Sequence, residues 1–176
     1  MEPIPIILLT GYLGAGKTSL LNHLLTQPDI AAKDVALIIN DFGSENVDGS
    51  LISREGHATF ELNKGSVFCI CIKTEFVKTL RAIADNVKPD VVLVEATGVA
   101  DPCDLAEFLD VPGLTGRFEL QATLCLVDVE NFSKVAAYMK AAQNQVLWAD
   151  GIVLNKIYLV PGDALDRVSN TVRKLN

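Results

Sequence analysis

Five short, nearly continuous apolar runs recur along the chain. They are Ile4–Leu9, Val35–Ile39, Val91–Val94, Thr123–Val127 and Gly151–Leu154. Runs of this kind are typical of parallel strands that are buried on both faces. The intervening segments predict helices over Thr18–Leu25, Glu75–Asn86, Asp104–Leu109, Phe132–Leu147 and Asp163–Leu175. We therefore expect an α/β fold, with right-handed crossovers and a parallel central sheet covered by helices on both faces.

A polar residue follows each apolar run at once. These residues are Thr10, Asn40, Glu95, Asp128 and Asn155. In an open parallel sheet, ligands bind at the carboxyl ends of the strands, so we expect a site along that edge. Residues 40–72 form a long irregular stretch, which in a compact domain is usually functional. We expect one or two short strands between Glu55 and Leu62 within it.

The segment Gly11-Tyr-Leu-Gly-Ala-Gly-Lys-Thr18 matches G-x-x-x-x-G-K-[ST], the phosphate-binding P-loop. It lies between the first predicted strand and the first predicted helix, which is the context that the motif requires. The backbone amides and the helix N-terminus favour phosphate oxygens. The residues expected to bind nucleotide here are Gly11, Leu13, Gly14, Ala15, Gly16, Lys17, Thr18 and Ser19. We expect Lys17 to face solvent before it reaches the β- and γ-phosphates, and the Thr18 hydroxyl to bind Mg²⁺.

Two acidic positions are candidates for the metal and the chemistry. Glu95 ends a buried strand, which is the Walker B arrangement for Mg²⁺; the alternative is a cap on the following turn. Gly98 can offer its N–H to the γ-phosphate, since no β-carbon blocks a close approach. Asp41, in Asn40-Asp41-Phe-Gly43, fits a switch loop that meets the metal when triphosphate is bound. The alternative is an ordinary turn.

The motif expected to recognise the nucleotide base is incomplete in this sequence. Asn155-Lys156 ends the last predicted strand, and GTPases often carry Asn-Lys-x-Asp at this place. Tyr158 replaces the aspartate that accepts two hydrogen bonds from guanine, and a tyrosine cannot do so. Guanine preference is therefore expected to be weakened. The alternative is a strand end with a solvated lysine.

Three of the four cysteines are candidate metal ligands. Cys69 and Cys71 form a C-x-C pair that can place two thiolates on one thiophilic ion. Zinc takes about four ligands, so others, such as Cys103, Asp41, Glu45 or His57, must complete the set. Cys103 follows Asp101-Pro102 at a predicted helix N-terminus, where a thiol pKa is lowered. The alternative is that all three are free, and the fourth, Cys125, is expected in the core.

Composition narrows the class of protein. The formal net charge is −7, which argues against nucleic acid or an anionic membrane as partner. No apolar run reaches the roughly 18 residues of a membrane span, and the N-terminus lacks a signal-peptide pattern. We expect a single cytoplasmic domain over residues 1–176, with cysteines in a reducing compartment.

The ordered motifs resemble those of the CobW-like family of P-loop GTPases, which assist metal handling. The urease and hydrogenase nickel-insertion GTPases are more distant relatives. The matching stretches are Gly11–Leu21, Asn40–Gly43, Glu61–Asn63, Glu95–Pro102, Val127–Asp128 with Asn131–Phe132, and Ala149–Asp150 through Asn155–Lys156. Two features depart from the family: Tyr158, and the loop Gly65-Ser-Val-Phe-Cys69-Ile-Cys71 in place of Gly-Cys-x-Cys-Cys. The usual metal site is thus altered or lost.

The resemblance implies a GTP–Mg²⁺ switch that hydrolyses GTP slowly to GDP and assists metal transfer or metallocofactor assembly. Zn, Co or Ni are the implied metals, a metalloprotein the implied client, and a nucleotide-dependent homodimer a further implied state. Many members carry a smaller C-terminal domain, which is absent from this chain, so it is a short member or a fragment. An ATP-dependent small-molecule kinase and a binding module without turnover are the alternatives.

Overall fold

A seven-stranded sheet forms the centre of the part of the chain that the structure describes. The computed structural model describes residues 2–39, 51–54, 57–62 and 70–176. The strands are β1 (Ile4–Thr10), β2 (Val35–Ile39), β3 (Leu51–Arg54), β4 (His57–Glu61), β5 (Val91–Glu95), β6 (Phe118–Asp128) and β7 (Gly151–Asn155). Their order is β3-β4-β2-β5-β1-β6-β7, and every neighbouring pair is parallel except the antiparallel pair β3–β4.

Helices connect the parallel strands. They are α1 (Lys17–Leu25), α2 (Pro28–Ala31), α3 (Ile70–Ala82), α4 (Cys103–Leu109), α5 (Phe132–Tyr138), α6 (Lys140–Leu147) and α7 (Gly162–Leu175). A π-helical turn, Ile83–Val87, extends α3, and a 3₁₀ turn, Ile157–Leu159, follows β7. No helix in the described ranges is long and apolar enough to cross a membrane.

Both faces of the sheet are covered by helices. Adjacent residues of a strand point to opposite faces, and Leu8 and Leu9 of β1 belong to separate buried clusters. The Leu8 cluster includes Phe76 of α3 and Leu105 of α4, whereas the Leu9 cluster includes Leu21 of α1. Full burial of a side chain of this size contributes about 1.5–3 kcal/mol. The expected parallel sheet with helices on both faces is confirmed.

All five predicted strands are present, but β6 begins at Phe118 rather than Thr123. Glu119 and Gln121 are exposed within its first half, so this half alternates in polarity and has no continuous apolar run. The strand expected between residues 55 and 62 is β4, and its partner β3 lies just before that range.

Two predicted helices differ from the structure. The helix predicted over Phe132–Leu147 is two helices, because the backbone is extended at Met139 (φ −114°, ψ 102°). The amide of Gln143 donates to the carbonyl of Ala136 at 2.6 Å, which satisfies an acceptor at this break. α3 begins at Ile70 rather than Glu75 and passes into the π-helical turn instead of remaining α-helical to Asn86. The short α2, opened by Pro28 at its first turn, was not predicted.

The strand register brings the predicted polar residues to one edge. Leu9 of β1 lies opposite Glu95 of β5, and Asp128 of β6 lies opposite Asn155 of β7. The P-loop leaves β1 at the same edge, directly after Thr10. The carboxyl ends of four adjacent strands therefore surround the loop, as the order of the sheet requires.

Candidate nucleotide site

The P-loop has a backbone conformation that its glycines make possible. Gly11 and Gly16 have φ values of 133° and 101°, in the region that disfavours side chains. A β-carbon on Gly11 would overlap the carbonyl oxygen of Leu126, and one on Gly16 would overlap the side-chain amide of Asn155. A turn closed by Ala15 N–H donating to the Tyr12 carbonyl at 3.1 Å completes the loop between β1 and α1.

Lys17 is buried in this loop, and the expectation that it faces solvent is wrong. Its residue is 8% exposed, and Nζ donates to the carbonyl of Gly11 at 3.0 Å and to that of Tyr12 at 3.4 Å. The loop carbonyls curve around the ammonium group and satisfy part of its hydrogen-bonding capacity. The cation is thus fixed beside the loop amides, where a phosphate would need it.

Thr18 and Glu95 meet at the start of α1 and the end of β5. The Thr18 hydroxyl donates to Glu95 Oε1 at 2.7 Å, and Glu95 is 7% exposed. Because the hydroxyl donates its hydrogen bond to the carboxylate, its oxygen lone pairs remain available to a cation. Hydroxyl and carboxylate oxygens are the ligands that Mg²⁺ takes, with water and phosphate oxygens filling its other positions. The predicted Mg²⁺ pair therefore fits the ion.

A cavity of about 230 Å³ lies over the loop and contains this pair. Its lining residues are Leu13, Gly14, Gly16, Lys17, Thr18, Ser19, Glu95, Ala96, Thr97 and Gly98. Most of the nucleotide-binding residues expected from the P-loop are among them, whereas Gly11 and Ala15 do not line the cavity. Sequence reasoning missed Ala96 and Thr97, although their place between Glu95 and Gly98 was a signal. An adjoining cavity of about 330 Å³ shares Leu13 but is lined mainly by apolar side chains, which suits phosphate poorly.

The segment after Glu95 is held between the P-loop and α6. A β-carbon on Gly98 would overlap the backbone of Leu13, so the two backbones are in direct contact. From the other side, Gln145, which is 1% exposed, donates through Nε2 to the carbonyls of Gly98 at 3.1 Å and Ala100 at 3.0 Å. Asn144 donates to the carboxylate of Asp101 at 2.7 Å. No motif marked this contact of α6 with the segment.

The two residues at the end of β7 contact different neighbours: Asn155 contacts the P-loop, and Lys156 contacts the end of β6. Asn155 Nδ2 donates to the carbonyl of Ala15 at 2.8 Å. Lys156 Nζ forms an ion pair of 2.9 Å with Asp128, whose carboxylate also accepts from Asn131 and from the amide of Glu130. Asn155 therefore contacts the P-loop directly, and the contact of Asn155 and Lys156 with a base stays a prediction.

The charges of this ion pair reinforce each other. Burial alone would raise the pKa of Asp128, but the hydrogen bonds from Asn131, Lys156 and Glu130 outweigh it and lower that pKa below its usual range. The hydrogen bond to Asp128 raises the pKa of Lys156. Both groups are therefore charged at neutral pH.

Tyr158 lies in the 3₁₀ turn after β7 and is 81% exposed. It is therefore accessible at the place where the Asn-Lys-x-Asp motif would put an aspartate. Asp128 is poorly suited to replace it as a reader of the base, since its two carboxylate oxygens already accept from three donors.

The predicted metal ligands are only partly within the described residues. Asp41 and Cys69 lie outside them, and Cys71 is in the first turn of α3 with its side chain outside them. Cys103 is half-buried at the start of α4, where its N–H donates to Asp101 Oδ1 at 3.2 Å. Within the described ranges no group of three or more His, Cys, Asp or Glu residues could hold a metal ion.

Cys125 is in the core, as expected. It is 1% exposed in β6, and burial raises the pKa of its thiol to about 12 against the opposing effect of Lys17. The neutral thiol that results is a poor metal ligand, because ligation requires the thiolate.

Several known proteins are similar to this chain in both sequence and fold. The chain is 35% identical over 164 residues to the zinc chaperone YjiA of Escherichia coli, covering 89% of the chain and 50% of that protein. It is 30% identical to the zinc-regulated GTPase metalloprotein activator 1 of Schizosaccharomyces pombe, covering 100% of the chain and 44% of that protein. The crystal structure of Zn(II)-bound YjiA GTPase from E. coli superposes with a TM-score of 0.71 at 29% identity, covering 98% of the chain and 54% of that structure.

The chain spans about half the length of the curated relatives that it matches. The family model for the CobW/HypB/UreG nucleotide-binding domain matches residues 5–176. The chain therefore belongs to the CobW/HypB/UreG nucleotide-binding domain family.

Proposed function

We propose that this chain binds GTP with Mg²⁺, hydrolyses it slowly to GDP, and couples its nucleotide state to metal transfer or metallocofactor assembly in a cytoplasmic client protein. The observation that carries the proposal is the 2.7 Å hydrogen bond from Thr18 to Glu95 beside the buried ammonium of Lys17. The three residues line one cavity, in which the proposal assigns Thr18 and Glu95 to Mg²⁺ and Lys17 to phosphate. The names of the relatives support the metal part of the proposal.

The chain's own residues supply positioning and charge. The loop amides and Lys17 bind the phosphates, and phosphoryl transfer is accelerated mainly by such positioning and charge stabilisation. Thr18 and Glu95 would hold the Mg²⁺, which would neutralise charge on the phosphate oxygens. Gly98, fixed by Leu13 and Gln145, presents its backbone to the third phosphate.

Slow turnover follows from the lining of the cavity. Among the described residues that line it, there is neither an arginine nor a glutamine to stabilise the transition state or orient the attacking water. A client protein, or a second copy in a nucleotide-dependent homodimer, supplies the missing group in this proposal.

A kinase, the competing function, would be expected to carry an arginine-rich lid over the phosphates. Arg117 pairs with Asp85 at the amino-terminal end of β6, opposite the P-loop edge, and Arg81 donates to the carbonyl of Pro112. Arg167 pairs with Asp163 within α7. An arginine-rich lid over the phosphates is therefore not formed by these three residues.

The cargo proposed is a thiophilic divalent ion, with zinc first and cobalt or nickel as alternatives. Cys69 and Cys71 are the proposed soft ligands, and Cys103 is a third candidate because it follows the segment that bears Gly98 and Asp101. Metal bound there would be linked to the nucleotide through that segment.

Nucleotide binding and turnover test the proposal directly. Binding of GDP, ADP and non-hydrolysable GTP and ATP analogues is measured by calorimetry with and without Mg²⁺, and phosphate release from GTP is followed separately. We expect Mg²⁺-dependent binding with guanine preferred, and slow phosphate release. Lys17→Ala should abolish triphosphate binding, whereas Lys33→Ala, a change at an exposed lysine outside the site, should not. Absence of nucleotide binding by the unaltered chain would contradict the proposal.

A further inference from the structure

The cavity of about 330 Å³ beside the P-loop has no role in the proposed function. It lies between β6, α5, α6 and the start of the loop, and its walls are mainly apolar, with Leu13, Leu126, Phe132, Val135 and Ala142 among them. Small-molecule sites in proteins are concave, mostly apolar and typically about 300–1,000 Å³ in volume. This cavity, called the apolar cavity below, therefore has the size and the lining of such a site.

Hydrogen bonds hold the walls of the apolar cavity in place. Gln143 donates to the carbonyl of Ala136 at 2.6 Å and so joins α6 to α5 across the extended backbone at Met139. Gln145, which lines the cavity, is buried and fixed by its two hydrogen bonds to the segment after β5. We therefore expect the cavity to keep its shape without a ligand.

The volume indicates the size of the ligand. An apolar cavity of about 150 Å³ holds a single benzene ring, and this cavity is about twice as large. Two of its lining residues, Cys125 and Ala142, are buried and have small side chains, which leave this space. A molecule with two fused rings therefore suits the cavity.

The charges of the lining indicate the polar group of the ligand. Lys134 is exposed and lines the cavity, and it forms no ion pair among the described residues. Asp128, the other charged residue of the lining, is already paired with Lys156 at 2.9 Å and accepts hydrogen bonds from two further donors. The charge that is left for a ligand is therefore positive, and an anionic group complements it.

We propose that the apolar cavity binds a small aromatic acid, with two fused rings against the apolar walls and the acidic group at Lys134. Of the described residues that line the two cavities, this site and the nucleotide site share only Leu13. The inference goes beyond the proposed function and does not depend on it, since the binding requires no nucleotide.

The experiment uses 2-naphthoate and its uncharged counterpart of the same shape, 2-naphthamide. Each is titrated into the isotopically labelled chain without nucleotide, and the backbone amide signals are followed by NMR. We expect saturable shifts at Val135 and Ala142, with a dissociation constant for 2-naphthoate below about 1 mM. The amide should bind about two- to fivefold more weakly, the value of an exposed ion pair.

Two substitutions test the apolar walls. Ala142→Leu fills part of the cavity and should weaken both probes by more than about tenfold. Ala137→Leu makes the same change at an exposed position of α5 that does not line the cavity, and it should leave both affinities unchanged. If Ala142→Leu does not fold, Val135→Phe, at a half-buried position of the lining, carries the same expectation.

Two further substitutions test the position of the acidic group. Lys134→Gln should weaken 2-naphthoate until it binds no better than 2-naphthamide, whose affinity should not change. Lys140→Gln removes a charge from an exposed lysine that does not line the cavity, and the difference between the two probes should remain.

Several outcomes would overturn the inference. Absence of saturable shifts, or shifts confined to the amides of Gly14, Gly16 and Ser19, would show that the probe does not occupy the apolar cavity. Equal effects of Ala142→Leu and Ala137→Leu would exclude the assigned walls. Equal affinities of the two probes for the unaltered chain would exclude an acid as the ligand. None of these outcomes affects the proposed function, which is tested by nucleotide binding.

Discussion

The side-chain amide of Asn155 occupies the space that a β-carbon on Gly16 would need, and it donates to the carbonyl of the preceding residue, Ala15, at 2.8 Å. Residues 140 positions apart in the sequence are thus interlocked. The end of β7 therefore supports the P-loop directly.

Gly16→Ala should therefore damage both stability and binding. A side chain at φ 101° costs about 1–3 kcal/mol, and the overlap with Asn155 adds to this. We expect the free energy of unfolding to fall by more than about 1 kcal/mol and GDP binding to be lost, as measured by urea unfolding and calorimetry.

Gly162→Ala is the control for this change. Gly162 opens α7 without a positive φ, and nothing lies within 4 Å of the position that its β-carbon would take. Alanine there should leave GDP affinity unchanged and alter stability by at most about 1 kcal/mol. If Gly16→Ala behaved like Gly162→Ala, the contact between the loop and Asn155 would be irrelevant to the site.

Tyr158→Asp should increase the preference for GTP over ATP. A carboxylate at this exposed position restores the acceptor that reads guanine, and a hydrogen bond to a charged group contributes about 1.5–3 kcal/mol. The ratio of GTP to ATP affinity should rise by about ten- to a hundredfold. Tyr138→Asp, at a tyrosine of α5 that is 89% exposed, adds the same charge elsewhere and should leave the ratio unchanged. An unchanged ratio in Tyr158→Asp would show that another group reads the base.

Local motifs predicted the geometry of the P-loop and its neighbours well. The P-loop pattern encodes its own backbone, because the positive φ values of Gly11 and Gly16 are ones that other residues disfavour. The pairing of Thr18 with Glu95 followed as well, since parallel strands bring their carboxyl ends to one edge. The sequence-based argument therefore succeeded where a few adjacent residues determine the geometry.

Contacts that depend on distant packing were not predicted. Gln145 reaches Gly98 from α6, which is separated from α5 by the extended backbone at Met139. No pattern of apolar residues marks this interruption between the two helices. The burial of Lys17 was also missed, since it depends on how the loop carbonyls curve around the ammonium group. The ends of secondary structure elements and polar long-range contacts are set by the tertiary structure.

The ion pair of Asp128 and Lys156 predicts how stability depends on pH. Hydrogen bonds depress the pKa of Asp128 in the folded state, so its contribution is fully present above the ordinary value of about 3.9 and is lost as the pH falls through the lowered value. The pKa of Lys156 is raised, so its contribution is present below about 10.4 and is lost at higher pH. Asp128→Asn should lower stability at neutral pH and reduce the acid dependence, as measured by urea unfolding from pH 2 to 8.

Asp163→Asn is the matched control, because Asp163 also has a lowered pKa through its pairing with Arg167. The two side chains of that pair are 67% and 68% exposed, and exposed pairs contribute little to stability. This variant should therefore have a nearly unchanged pH profile. Identical profiles for Asp128→Asn and the unaltered chain would show that the pair of Asp128 and Lys156 does not stabilise the fold.

Zinc binding should depend on the C-x-C pair and on the nucleotide. Two thiolates one residue apart form a soft ligand pair, but the set falls short of the four ligands that zinc usually takes, so we expect modest affinity. Cys69→Ser/Cys71→Ser should abolish zinc binding and Cys103→Ser should weaken it. Cys125→Ala should not affect it, because the buried thiol stays neutral.

The same titration, carried out with GDP and with a non-hydrolysable GTP analogue, tests the link to the switch. Cys103 begins α4 directly after the segment held by Leu13, Gln145 and Asn144, so a change at Gly98 on binding a third phosphate would be transmitted to it. Zinc affinity should then differ between the two nucleotides, and zinc must change the analogue affinity relative to GDP by the same factor. Equal zinc affinities with both nucleotides would leave a metal site without a switch. Equal zinc binding by the unaltered chain and Cys69→Ser/Cys71→Ser would instead show that the metal, if bound, is held by other residues.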